Sequence, residues 1–250
     1  MINYVILKIK NKYLTIISLI YQIKIQFFFK ILHRNKKYSN EETKILKNQG
    51  YLHLKEIIPK REIDNFFQLY EKEILHKSIK NNDYLIEIPI KFDEKNIFFD
   101  YLKNRKVFDI CKDYLGKIQI INGCVNHQTN LDCETSSMQP HNDTRGNDLK
   151  IYICLSDFND SAHPLYYLRG SHNDLKFYIL EKHHRRKNIS KEKMDKIYGK
   201  KGDIIIFDTH GWHSHIKKNT TERTVLDITL IPNNYFFKSE NANEQNLVNL

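Results

Sequence analysis

Beyond Lys117 the chain breaks into short apolar runs, KIQIINGCVNHQT, LKIYICLSDF, PLYYLRG, DIIIFDT and ERTVLDITLIP, held apart by polar connections. In LKIYICLS the residues Leu149, Ile151, Ile153 and Leu155 alternate with Lys150, Tyr152, Cys154 and Ser156. A period of two puts the two sets on opposite faces of a strand, whereas a helix would repeat its apolar positions at three and four. Short strands with long connections, following a helical first half, point to an α+β protein. The second half of the chain is therefore expected to form a β-sandwich or a jelly-roll barrel.

The first half of the body reads differently. EETKILKNQG is a short helical run stopped by Gly50, YLHLKEII follows as an apolar stretch, and a helix opens near Pro59 with Ile63, Phe66, Phe67, Leu69, Tyr70 and Leu75 mostly at helical spacing. A further helix is expected over Lys106 to Leu115, closed by Gly116. Between Ser171 and Gly202 lies an insertion, read as helical, that carries KHHRRK and ten Lys/Arg against four acids, a net charge of +6. With 8 Gly and 5 Pro in 250 residues, collagen-like and linker-rich architectures are excluded, and no internal repeat is present.

The formal charge of +10 suggests nucleic acid until it is placed along the chain. Residues 1–40 hold eight Lys/Arg and no acid, so the body from Glu41 onward is nearly neutral. A nucleic-acid module carries its basic stripe on the folded domain, and nucleic acid is not an expected partner. The basic excess belongs to a segment with its own pattern: from Lys8 to His33, polar residues recur every three or four positions and Leu, Ile and Phe fill the rest. Read as a helix about 39 Å long, it carries Lys24 in its middle, against a simple span of about 20 apolar residues. Three arrangements stay open: lying on a membrane surface with RNKK at 34–37 attracted to anionic lipid, lying against protein, or spanning. The expected organisation is thus a basic amphipathic segment over 1–40 and one domain over 41–250. Cys111, Cys124, Cys133 and Cys154 form no CxxC pair and read as reduced, mostly buried thiols. With no cleavable signal sequence, the body is expected in the cytoplasm, with any membrane contact on the cytosolic face.

Candidate chemistry lies in the histidines. His141 and Asp143 in QPHND sit two apart, which in an extended segment turns imidazole and carboxylate to one side. His213 follows the apolar strand DIIIFDT, and two histidines with one carboxylate are the set that leaves open positions on a non-haem Fe(II) ion. His-x-Asp by itself carries little weight: 12 His and 16 Asp in 250 residues produce about one by chance, and there is a second at His172-x-Asp174, where Asp174 reads as a first-turn helix acid. His210 and His215 flank His213 as alternative ligands. Arg223, ten residues beyond His213, offers a planar fork of donors that matches a carboxylate, or an ordinary surface salt bridge. Trp212 reads as core.

The ordered set is what carries meaning: His141-x-Asp143, a strand, the turn LYYLRGSH, GDIIIFDT, His213, then Arg223 opening the last strand. Over residues 43–232 the chain resembles the phytanoyl-CoA dioxygenase family of Fe(II)- and 2-oxoglutarate-dependent oxygenases. The resemblance implies an α+β fold with a double-stranded β-helix (jelly-roll, cupin-like) core and flanking helices. It implies iron on His141, Asp143 and His213, the distal carboxylate of 2-oxoglutarate on Arg223, and O2-dependent hydroxylation of an unactivated C–H. Asn126 and Gln128, on one face of the preceding strand, are candidates for helping to hold the cosubstrate. The chain departs from the family pattern at Ala162 and His163, where Gly commonly precedes Pro, and at His215, where a small hydroxyl residue is common. The basic insertion suits a lid over an anionic small-molecule or lipid-linked substrate. Two rivals share the same residues: a non-catalytic jelly-roll binding module, and a cupin-type metalloenzyme that does not use 2-oxoglutarate.

Overall fold

The computed structural model describes residues 36–81, 85–129, 138–143, 148–173, 189–215, 221–232 and 248–249. The amphipathic segment over 8–33, the KHHRRK run and Cys133 lie outside the described residues. Helix α1 (Glu41–Gln49) opens where the Asn40 side chain accepts from the Glu42 N–H at 2.9 Å. It closes at Gly50, whose φ of +88° is left-handed; a Cβ there would also stand 2.4 Å from the Tyr167 hydroxyl. Strand β1 (Tyr51–Leu54) follows, then α2 (Lys60–Asn81) behind Pro59, longer than its apolar spacing suggested. Strand β2 (Leu85–Pro89) and helix α3 (Ile97–Asn104) go beyond the sequence expectation. Helix α4 (Val107–Leu115) ends at Gly116 as expected.

The remaining strands are β3 (Ile118–Gln128), β4 (Leu149–Cys154), β5 (Leu165–Tyr167), β6 (Asp195–Ile197), β7 (Ile204–Asp208), β8 (His213–His215), β9 (Arg223–Pro232) and β10 (Val248–Asn249). They form two antiparallel sheets, a large one ordered β1-β7-β4-β9-β3 with β2 and β10 both on the far edge of β3, and a small one ordered β6-β5-β8. This is the expected α+β jelly roll. One expectation fails: the end of the 171–202 insertion is not helical beyond short 3-10 turns, but supplies β6. The edge of β5 opposite β8 has backbone donors and acceptors to satisfy, and Asp195–Ile197 pairs with it.

Alternation in the strands resolves into two cores. Leu149, Ile151 and Ile153 of β4, Ile204 and Ile206 of β7, and Leu226, Ile228 and Leu230 of β9 bury against the helices. The opposite faces of the same strands send Tyr152, Cys154, Ile205, Phe207 and Val225 inward, against Leu165, Tyr167 and Ile197 of the small sheet. Both strands are covered on both faces; β7 is apolar on each, which gives the continuous run DIIIFD, whereas β4 keeps the polar Lys150 and Tyr152 on its inward face and so alternates.

Asp203 ties the outer turns together: its carboxylate accepts from the Glu56 N–H at 2.8 Å, the Lys200 N–H at 2.9 Å and His53 Nε2 at 2.8 Å. Burial opposes ionisation, but these donors hold its pKa below the ordinary carboxylate value. A depressed carboxylate contributes stability above its unfolded-state value of about 3.9 and loses it as pH falls through the lower folded value. Asp203→Ala is therefore expected to cost about 2–3 kcal/mol in urea unfolding at pH 7, with the gap to wild type narrowing below about pH 4. An undiminished gap at pH 3 would show that packing, not charge, sets the cost.

Candidate metal centre

His141 and His213 come from different segments and are joined by a two-residue antiparallel bridge. The His141 N–H donates to the His213 carbonyl at 2.9 Å, and the His213 N–H donates back at 2.8 Å. The Asp143 N–H donates to the Thr209 carbonyl at 2.9 Å, which extends the same seam. The ligand atoms of His141, Asp143 and His213 lie within 4.8 Å of one another. At that spacing the three side chains could hold one ion between them.

The two histidines are oriented by the same device. His141 Nδ1 donates to the Gln139 carbonyl at 2.9 Å and His213 Nδ1 to the Gly211 carbonyl at 2.8 Å. In each case the carbonyl belongs to the residue two positions earlier, and holding the proton on Nδ1 leaves Nε2 bare for a metal. Burial lowers the His213 pKa to about 4, reinforced by His141 beside it, so the ring is neutral at pH 7. Burial disfavours the Asp143 carboxylate, but Lys150, His213, His141 and His210 outweigh it and hold its pKa below the ordinary value. Two imidazoles and one carboxylate suit a divalent ion of intermediate softness, and the three residues leave positions open for other ligands.

The turn between β7 and β8 presents this set. Asp208 is buried and its carboxylate accepts from the Tyr114 hydroxyl at 2.7 Å, the His210 N–H at 2.9 Å and His210 Nδ1 at 3.1 Å. Its carbonyl accepts from the Tyr167 hydroxyl at 2.8 Å. From this pinned start, Thr209 and Gly211 supply the carbonyls that position Asp143 and His213. His210 is thus turned to Asp208, and His215 to Arg223, which leaves His213 as the member of the trio in the ligand cluster. His172 donates from Nε2 to the Lys47 carbonyl at 2.9 Å and fastens the end of α1, and Trp212 is core.

Arg223 is 1% exposed, inside the protein rather than on its surface. Its guanidinium lies over the rings of Phe158, at 4.7 Å, and Tyr152, at 5.4 Å. Nη1 donates to the His163 carbonyl and to His215 Nδ1, each at 2.8 Å. Burial and the neighbouring guanidinium push the His215 pKa well down, so a neutral ring accepts there. The two departures from the family pattern thus meet on one arginine. His163 has a left-handed φ of +46°, a conformation glycine adopts without cost, and it aims its carbonyl at Nη1. Gln128, the register partner of Arg223, is buried with its amide oxygen unpartnered among the described residues, and Asn126 instead donates to Asp227 at 3.3 Å.

The sequence reading passed over Asp208, Tyr114, Lys150 and Asp227. A usable signal existed for two of them: Lys150 and Asp227 are charges set inside strand runs that are otherwise apolar.

No protein-family model matches the chain, and no curated protein matches its sequence. Solved structures do match its fold. HygX from Streptomyces hygroscopicus with nickel and 2-oxoglutarate bound is similar at a TM-score of 0.59 and 14% identity, over 80% of this chain and 89% of that one. EctD from S. alaskensis with bound Fe is similar at 0.57 and 15%, over 77% and 76%. The epimerase SnoN in complex with Fe3+, alpha ketoglutarate and nogalamycin RO is similar at 0.55 and 12%, over 76% and 82%. The chain therefore has the fold of these three proteins.

A Cβ added at Gly211 would stand 1.8 Å from the Tyr167 hydroxyl, so the turn and the tyrosine cannot both keep their places. Gly211→Ala is expected to lower the affinity for Co(II), used as a spectroscopic metal probe, by about 10–100-fold while the protein stays folded. Unchanged affinity and an unchanged Co(II) spectrum would mean that this turn does not position His213.

Proposed function

We propose that the protein is an Fe(II)- and 2-oxoglutarate-dependent oxygenase that hydroxylates a C–H of a small-molecule substrate. The observation that carries this reading is the pair of inward histidines with Nδ1 tied to backbone carbonyls, converging with Asp143 inside a barrel of this fold. In it, His141, Asp143 and His213 hold the iron, and Arg223 receives the distal carboxylate of the cosubstrate. The buried Gln128 amide opposite Arg223, with an unpartnered oxygen, marks that end of the barrel as built for a polar ligand. Iron with 2-oxoglutarate supplies the activation of O2 that hydroxylation of an unreactive C–H requires.

The chain's own residues bind, orient and exclude water. The Tyr152 and Phe158 rings lie against the guanidinium and give it an apolar setting, which strengthens its attraction for a carboxylate. The neutral His215 ring takes the place of the family's small hydroxyl and fixes the rotamer of Arg223. The membership in the phytanoyl-CoA dioxygenase family, the domain boundary near residue 40 and the membrane-surface role of residues 8–33 rest on the sequence pattern. Among the described residues no helix is long and apolar enough to cross a membrane.

The reading is tested with the full-length protein loaded anaerobically with Fe(II). Titration with 2-oxoglutarate is expected to raise a visible metal-to-ligand charge-transfer band, lost in His141→Ala and requiring at least about tenfold more 2-oxoglutarate in Arg223→Met. Folded, iron-containing protein that gives no band would overturn the reading in favour of a cupin-type metalloenzyme or a non-catalytic binding barrel.

A further inference from the structure

The inner wall of the barrel carries a charged pair that supplies no ligand atom to the metal cluster and no hydrogen bond to Arg223. Lys150 and Tyr152 are on the inward face of β4, and Asp227 stands opposite Tyr152 on β9. Lys150 Nζ donates to Asp227 Oδ2 at 3.0 Å, and Asn126 Nδ2 donates to the same oxygen at 3.3 Å. The other oxygen, Asp227 Oδ1, has no hydrogen-bond partner among the described residues, and the residue is only 4% exposed. The Lys150 side chain, by contrast, is 25% exposed. An ammonium has three donors, so two beyond the Asp227 contact are available to a ligand.

This pair faces the candidate metal centre. Phe207, the register partner of Lys150 on β7, has its ring 5.4 Å from that of His213, and Tyr152 has its ring 6.3 Å from that of His215. Stability does not explain it, because a buried ion pair can commonly be replaced by apolar residues without loss. A buried carboxylate oxygen left unpaired is a cost that a ligand's donor would remove. A hydrocarbon chain laid along this wall would leave that oxygen unpaired and cover the ammonium.

We propose that Lys150 and Asp227 together bind the head group of the substrate, and that this head group is a zwitterion, the free α-amino acid being the simplest case. Its carboxylate meets the Lys150 ammonium and its own ammonium meets Asp227 Oδ1. The role as a substrate site rests on the oxygenase reading; the binding itself does not.

The test uses the full-length protein loaded with Ni(II), with and without 2-oxoglutarate, titrated calorimetrically with each common L-α-amino acid. At least one is expected to bind with a Kd of about 1 mM or tighter and to lose about tenfold or more in Lys150→Met. Removing one partner leaves a buried charge uncompensated, so the double variant Lys150→Met/Asp227→Leu, in which both are replaced together, serves as the folded control and should show the same loss. Affinity for 2-oxoglutarate should stay within about threefold of wild type in both. No amino acid bound by wild type, or equal binding by the variants, overturns the proposal. So does a tenfold loss of 2-oxoglutarate affinity in Lys150→Met, which assigns the ammonium to the cosubstrate instead. Amino-acid binding by a protein that does not take 2-oxoglutarate would support the dyad and overturn the oxygenase reading alone.

Discussion

The bridge between His141 and His213, two backbone hydrogen bonds of 2.9 and 2.8 Å, joins parts of the chain 72 positions apart. Because neighbouring strands are about 4.8 Å apart, two residues paired in this way place their side chains near one another without further help. Adding the Asp143 N–H to the Thr209 carbonyl fixes the third member. The geometry of the cluster is thus set by main-chain bonds, which are shorter in reach and stiffer than side-chain contacts. The Nδ1 contacts to Gln139 and Gly211 then decide which nitrogen each ring offers.

Around this seam the barrel solves a double burial problem. Each central strand of the large sheet supplies one face to the helices and one to the interior, so apolar residues fill both cores. The interior is nevertheless where Arg223, Lys150, Asp227 and Asp143 converge. Charges taken out of water cost several kcal/mol each unless they are matched, and here matching is local: Lys150 is set on Asp227, and Arg223 lies against two aromatic rings and donates to the His163 carbonyl. Although burial disfavours its charge, the Asp227 carboxylate holds the Lys150 pKa well above the ordinary value.

Much of this was legible in the chain. The period of two in LKIYICLS and the short continuous apolar run DIIIFD are both local signs of a buried strand, so strands and layers could be read. Gly50 and Gly116 ended their helices where the sequence said they would, because a left-handed or open backbone favours glycine locally. His141, Asp143 and His213 could be singled out by spacing and order. Strand β2 and the strand at the end of the 171–202 insertion could not: both are short edge partners of other strands, stabilised by pairing rather than by a pattern of their own.

By itself, then, the sequence determined the α+β class, the strand-rich second half, the residues able to bind a metal and the arginine at the start of the last strand. Only the tertiary structure decided between His210, His213 and His215, because that choice depends on whether Asp208, the ligand cluster or Arg223 lies within hydrogen-bonding distance. The same holds for the conformation of His163 and for the meeting of Lys150 with Asp227, 77 positions apart. Periodicity is a local property and is written in neighbouring residues, whereas the partner of a buried charge is fixed by strand register, which exists only once the sheet has formed.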